Sequence, residues 1–234
     1  MQSFLRLFVM TLAAIVLSSC GFSYDTSSYR FRLTIEVDTP QGLRTGSTVY
    51  QIEAGRNWAP LPDMNKQYIR SYGEAASVDL GGGAKLFSLL ETNSLFDELS
   101  GLSLAALDPI FPEREHDPID AADRLEDADS ARAVVPIEDY PLLVAFSDPS
   151  DHTSMVMVDP RDAAATLGPR YAIRRIVVEL TDDPVPDTIR EQLPWLEPLG
   201  RKQGAIIPSG SIYLKDAKPI NLVTPGHFST KLYK

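Results

Sequence analysis

The chain has 234 residues, 32 of them acidic and 22 basic, for a formal net charge of −10. That balance argues against a nucleic-acid partner, because such binding rests on Lys and Arg neutralising phosphates, and against adhesion to anionic lipid by charge alone. The lone cysteine, Cys20, excludes an internal disulfide, so the fold is expected to hold by packing and hydrogen bonding.

The chain begins MQSFLRLFVMTLAAIVLSSCG, with one positive charge, Arg6, ahead of an uncharged and mostly apolar stretch from Leu7 to Leu17. As a helix that stretch would span about 16 Å, roughly half a bilayer core. It is short for a permanent span and has the length of the apolar region of an export signal. Leu17-Ser18-Ser19-Cys20 resembles the lipobox of bacterial lipoproteins. The resemblance implies thioether diacylation of Cys20, cleavage before it, and acylation of the new amine. Each buried acyl methylene contributes about 0.8 kcal/mol, and more than one chain gives stable anchoring. The sorting rule of enteric lipoproteins implies the outer membrane over the inner, because Gly21 rather than aspartate follows the cysteine. Residues 1–19 are thus read as a signal peptide and 20–28 as a lipidated tether. Loss of residues 1–19 removes Arg6 and no acid, leaving 21 basic against 32 acidic residues, a net charge of −11.

From Tyr29 to Val37 every odd position is apolar and every even one polar. That period of two predicts a strand with one face on a core. Asp38-Thr39-Pro40-Gln41-Gly42 has turn chemistry, and a second strand from about Leu43 to Glu53 completes a hairpin. Residues 54–74 read as irregular. Ala76 to Leu80 is a short strand, Gly81-Gly82-Gly83 a tight turn, and Lys85 to Leu90 a return strand. The triple glycine lacks the Gly-Lys-Ser/Thr of a P-loop and the spacing of a dinucleotide fingerprint.

Leu95, Leu99 and Leu102 suit a short helix capped by Asn93 or Ser94. Residues 113–132 hold eight acids and three arginines. Asp120 is placed to cap a helix over 121–131, and the segment as a whole is expected to be an exposed acidic excursion, since Ile119 and Leu125 are its only large apolar groups. Asp123, Asp127 and Asp129 could form a divalent-cation site, but the spacing is not that of an EF-hand loop, and no Gly supplies its sharp turn. Pro141 to Phe146 and Ser154 to Val158 read as strands, followed by a short helix ending at Gly168. Tyr171 to Leu180 is a long strand with Ala172, Ile176, Val178 and Leu180 on one face, interrupted by Arg174 and Arg175. Residues 186–196 look helical, with Ile189, Leu193 and Leu196 on one side and Pro194 weakening the last turn. Ala205 to Leu214 is a last strand at an edge or a bulge, and 215–234 an extended, mildly basic tail. Three hairpin-like pairs favour antiparallel pairing. The expected fold is α+β: one domain over 29–214, mostly antiparallel hairpins with about four short helices.

Four segments carry a wider resemblance: YRFRLTIEVDTPQGLRTGS at 29–47, VDLGGGAKLFSLL at 78–90, RRIVVELTDDPVP at 174–186 and LPWL at 193–196. They resemble an uncharacterised family of proteobacterial lipoproteins and exported hypothetical proteins, a family with no assigned activity. The resemblance implies a Gram-negative envelope origin, with the domain in the periplasm, and supplies no catalytic residue.

No catalytic, cofactor or metal motif stands out. His116, His152 and His227 are far apart, lack any zinc pairing, and read as exposed loop residues. No G-x-S-x-G elbow is present; Ser209, between Pro208 and Gly210, is the nearest to a positioned nucleophile. Trp58 and Trp195 could line a glycan cleft, but sit among prolines and leucines as packed aromatics do. The sequence therefore points to a lipid-anchored envelope protein, with no cofactor, that binds a protein partner or assists assembly. A glycan hydrolase using paired carboxylates is the alternative, and a small-ligand carrier a third possibility. A deep cleft with two close acids would favour the enzyme, and an exposed apolar patch the partner binder.

Overall fold

The computed structural model describes residues 26–56, 67–92, 99–107, 110–111, 117–201, 204–208 and 218–232. Among them are nine strands: β1 (Thr26–Thr39), β2 (Gly42–Arg56), β3 (Gln67–Tyr72), β4 (Ala76–Gly81), β5 (Ala84–Thr92), β6 (Arg132–Val134), β7 (Pro141–Phe146), β8 (Met155–Val158) and β9 (Ala172–Leu180). Five helices accompany them: α1 (Leu99–Leu107), α2 (Pro118–Glu126), α3 (Ala163–Leu167), α4 (Ile189–Gln192) and α5 (Leu196–Gly200). The fold is α+β, a single domain built mostly of antiparallel sheet.

The strands form two sheets, ordered β3-β2-β1-β9-β6 and β4-β5-β7-β8. β1 and β2 make the long hairpin that the alternation predicts, with Thr26 opposite Gly55 and Thr39 opposite Gly42 across the Pro40-Gln41 loop. Tyr29, Phe31, Leu33, Ile35 and Val37 of β1 all turn inward and are buried. They meet Val78 and Leu80 of β4, Leu86 of β5, Leu143 and Ala145 of β7 and Ile176 and Val178 of β9, so the two sheets share one core. Burying a large apolar side chain contributes about 1.5–3 kcal/mol, and the inward face of β1 alone supplies five such groups. The Tyr29 hydroxyl keeps a partner inside, Ser103 Oγ of α1 at 2.8 Å.

One flank of the sandwich closes where Gly73-Glu74-Ala75 carries the chain from β3 in the first sheet to β4 in the second. β2 crosses close over β4 there: a Cβ on Gly46 would collide with the Ser77 carbonyl oxygen, so only glycine fits. Buried Glu74 is satisfied by the Thr188 amide (2.9 Å), the Thr188 hydroxyl (2.7 Å) and the Ile189 amide (3.0 Å) at the start of α4. On the opposite flank α3 joins β8 to β9, its N-terminus capped by Asp162, which accepts from the Ala165 amide at 3.2 Å.

The outer face of the second sheet carries a second core. Phe87, Leu89, Val144 and Phe146 pack there against Ile189, Leu193, Trp195, Leu196, Ile206, Val223 and Phe228 from the C-terminal part of the chain. β7 is therefore buried at all six positions, as its unbroken apolar run requires.

Several expectations need correction. The tether does not extend to residue 28, because Thr26 to Ser28 already pair with Glu53 to Gly55. Within 54–74, residues 67–72 are not irregular but form the edge strand β3. The acidic stretch is not a free excursion across 117–126. Asp117, not Asp120, caps α2, accepting from the Ile119 amide at 2.8 Å, with Pro118 preset for the first turn. Ile119, Ala121, Ala122 and Leu125 are buried, with α2 against β1 and β2. The alanines let the helix axis approach closely, so two large apolar residues suffice. Arg56 bridges Asp117 (3.4 Å) and Asp120 (2.5 Å).

In β9 a register shift at the Glu36/Val37 level brings Ile173, not Ala172, opposite Val37; Ala172 is exposed. The single helix expected over 186–196 is two short ones, α4 and α5, separated at Leu193-Pro194, although Ile189, Leu193 and Leu196 are all buried as expected. Residues 205–208 are not strand, because Pro208 and the turn chemistry around it win. Nor is the tail extended: residues 218–232 coil into two 3-10 turns, Pro219–Leu222 and Pro225–His227. They insert Val223 and Phe228 beneath the second sheet and bond back to β3–β4, Ala75 N to Phe228 O at 2.9 Å and Thr230 N to Gly73 O at 3.1 Å. The domain thus reaches residue 232.

Candidate functional site: a groove at the β8 edge

The space between the sheets is filled by the β1 side chains and their partners, so surface concavities are the places to look for function. One is a groove of about 520 Å³ where β7 and β8 meet the 3-10 turn at Pro219–Leu222. β8 pairs with β7 on one side and, among the described residues, has no strand on the other. Leu142 and Met157 line it from the outer face of the sheet, Val156 lines it at the strand edge, and Pro141, Pro160, Pro219 and Ile220 complete the lining. Val156 is 42 % exposed, at a sheet edge of the kind that charge or cover commonly blunts.

Local hydrogen bonds hold both walls. The Tyr140 hydroxyl accepts from the Ile176 amide at 3.1 Å, and burial pushes its phenol up from the ordinary value. Asp159 accepts from the Arg161 amide at 2.8 Å and shapes the turn after β8. Across the groove Asn221 accepts from the Lys218 amide and donates to the Ile207 carbonyl, both at 3.0 Å. The guanidinium of Arg161 and the ammonium of Lys218 border the opening. Both residues are exposed.

A second concavity, about 480 Å³, is polar and holds Glu126, Asp127, Asp129 and Asp182 beside Arg30. Arg30 donates to the Asp182 carbonyl at 2.9 Å. Asp123, grouped with Asp127 and Asp129 in the sequence, is engaged instead by the Ser27 hydroxyl. Among the described residues no three His, Cys, Asp or Glu side chains gather as a metal site.

A third, about 370 Å³, contains His227. This histidine is not the exposed loop residue its neighbours imply: its side chain is 20 % exposed. Nδ1 accepts from the Thr224 amide at 3.3 Å, which leaves the proton on Nε2, donated to Glu91 Oε1 at 2.9 Å. Desolvation lowers its pKa from the ordinary value and outweighs the opposing pull of Glu91. With both nitrogens engaged, the neutral imidazole offers no free lone pair for general-base chemistry. His152 lies in the turn before β8, its ring 5.9 Å from that of Trp195. Trp195 is a core aromatic, 8 % exposed, donating to the Pro149 carbonyl at 2.8 Å. Gly81, Gly82 and Gly83 all have positive φ and form the β4–β5 turn. Cys20, Gly21, Trp58, His116, Ser209 and the expected Asn93 or Ser94 cap lie outside the described residues.

Sequence reasoning missed the β8 groove, whose residues come from three separated stretches, 140–143, 156–161 and 218–220. The one available signal was a short apolar strand, MVMV, followed at once by a charged turn and a short helix. Comparison with protein-family models, curated proteins and solved structures gave no match.

Proposed function

We propose that the protein is a lipid-anchored envelope lipoprotein whose domain binds a protein partner and performs no chemistry of its own. The anchor reading rests on the short apolar stretch from Leu7 to Leu17 and the lipobox-like Leu17-Ser18-Ser19-Cys20. It places the domain on the periplasmic side, with Gly21 favouring the outer membrane. The binding reading rests on one observation, the open apolar groove beside an edge of β8 that no described strand covers. An apolar concavity on a free sheet edge is the form that peptide capture by strand addition uses.

Two experiments test this reading. Cys20→Ser is expected to abolish radioactive palmitate incorporation and leave the precursor uncleaved; unchanged labelling and processing would remove the anchor. A photo-crosslinking amino acid at position 156 is expected to give one discrete protein adduct in cells, and the same probe at exposed Leu43 none. No adduct at 156, or the same adducts at both, would remove the binding site.

The competing glycan-hydrolase reading has the acid-lined cleft of Glu126, Asp127, Asp129 and Asp182 as its support. It requires release of reducing ends from purified peptidoglycan, lost in Asp129→Asn or Asp182→Asn. Such activity would displace the binding reading.

A further inference from the structure

We infer that the occupant of the β8 groove is an extended peptide segment bearing carboxylates, laid alongside β8 as an added strand. This rests on the partner-binding reading and names the chemistry of that partner.

The backbone comes first. Among the described residues β7 is the one strand paired with β8, so an incoming strand finds main-chain groups to pair with. Thr166 of α3 donates to the Met157 carbonyl at 3.4 Å, a long bond that such a strand would replace. The lining comes next. Alternate side chains of an added strand point to opposite faces, so one set would lie beside Met157 and Leu142 on the outer face of the sheet and the other beside Val156.

Charge then selects among occupants. The chain carries a net −10, and many of its arginines are neutralised in place: Arg174 by Asp38 at 2.7 Å, Arg175 by Glu36 at 2.9 Å, Arg56 by Asp120, Arg32 by Asp183. Arg161 and Lys218 are exposed at the groove and have no acid within ion-pair distance among the described residues. The one acid lining the groove, Asp159, has a carboxylate oxygen bound by the Arg161 amide. An acidic chain thus keeps two open cations where a strand would lie. A carboxylate-bearing strand supplies what the rim lacks.

Two fluorescein-labelled synthetic peptides of about ten residues test this, one alternating valine with glutamate and one valine with lysine, followed by anisotropy with the mature domain at low salt. The glutamate peptide is expected to bind saturably, and the lysine peptide about tenfold more weakly or not at all. Arg161→Glu/Lys218→Glu is expected to reverse that order. Val156→Asp should lose both, with circular dichroism confirming that each variant is folded. Equal binding of the two peptides, or an order unchanged by charge reversal, overturns the inference. So does a protein that yields the position-156 adduct yet binds no glutamate peptide; in that outcome the broader binding reading survives alone. Dimerisation at rising concentration that Val156→Asp abolishes would assign the groove to a second copy and overturn the inference as well.

Discussion

The two sheets share one core, yet their outer faces have opposite chemistry. On the first sheet the outward residues of β1 pair across strands and to the chain after β9: Asp38 with Arg174, Glu36 with Arg175, Arg32 with Asp183. That face is finished, and water completes it. The outer face of the second sheet is aromatic and apolar, with Phe87 and Phe146 meeting Trp195 and Phe228 at centroid distances of 5.6–6.1 Å. It needs a cover, and the C-terminal part of the chain supplies it. The cover meets β8 at the Pro219–Leu222 turn, and the groove is what that contact leaves open. A sheet whose second face depends on a wrapped segment leaves an unfinished margin where that segment ends, which a self-completed face does not.

Substitutions can break this contrast, beginning with the shared core. Leu33→Asp places an unpaired charge at a position with 0 % exposure and should prevent folding, seen as loss of a cooperative melt. A normally melting variant would contradict the shared core. Phe228→Ala should cost about 3–5 kcal/mol in urea unfolding if the C-terminal cover is integral to the domain; a cost below about 1 kcal/mol would make it an accessory. His227 sits where that cover meets β5, facing Glu91, Arg70 and Tyr72. Its pKa is lower in the folded chain than in the unfolded one, so the unfolded state binds more protons as pH falls. Its contribution to stability is complete above the unfolded value of about 6.5 and declines below it. His227→Gln should flatten the difference in stability between pH 7.5 and 5.5; an unchanged pH profile would assign that slope elsewhere. Smallest of all, Arg132→Ala on the charged face, whose guanidinium stands 3.8 Å from Glu179 with both side chains at least half exposed, should change stability by under about 1 kcal/mol.

The same contrast explains what was legible in the sequence. β1 announces its one buried face by strict alternation, and β7 its two by an unbroken apolar run. β3 announces neither: QYIRSY is half-buried along most of its length and has no period to read. The acidic helix hides its buried face because that face rests as much on Ala121 and Ala122 as on the large apolar groups Ile119 and Leu125. Pro194 was expected only to weaken the last turn of one helix, whereas the first helix stops at Gln192 and another begins at Leu196, which nothing local announces. Burial of the tail hangs on Val223 and Phe228, two isolated residues among prolines and glycine, whose partners on β5 and β7 lie more than 70 residues earlier. The groove was illegible for the same reason: its walls become neighbours only after the cover has folded.

The position of β1 has a mechanical consequence. It is the central strand of its sheet, held by β2 along its full length and by β9 from Phe31 to Asp38. Inter-strand bonds of antiparallel sheet lie perpendicular to the strands. Tension applied at Thr26 along the strand axis therefore loads them sideways and together, in shear, rather than peeling them one after another. A domain tethered through this end would resist being pulled from its mooring with the strength of its whole central ladder, whereas a pull through the C-terminal cover would meet only its side-chain packing and a few backbone bonds.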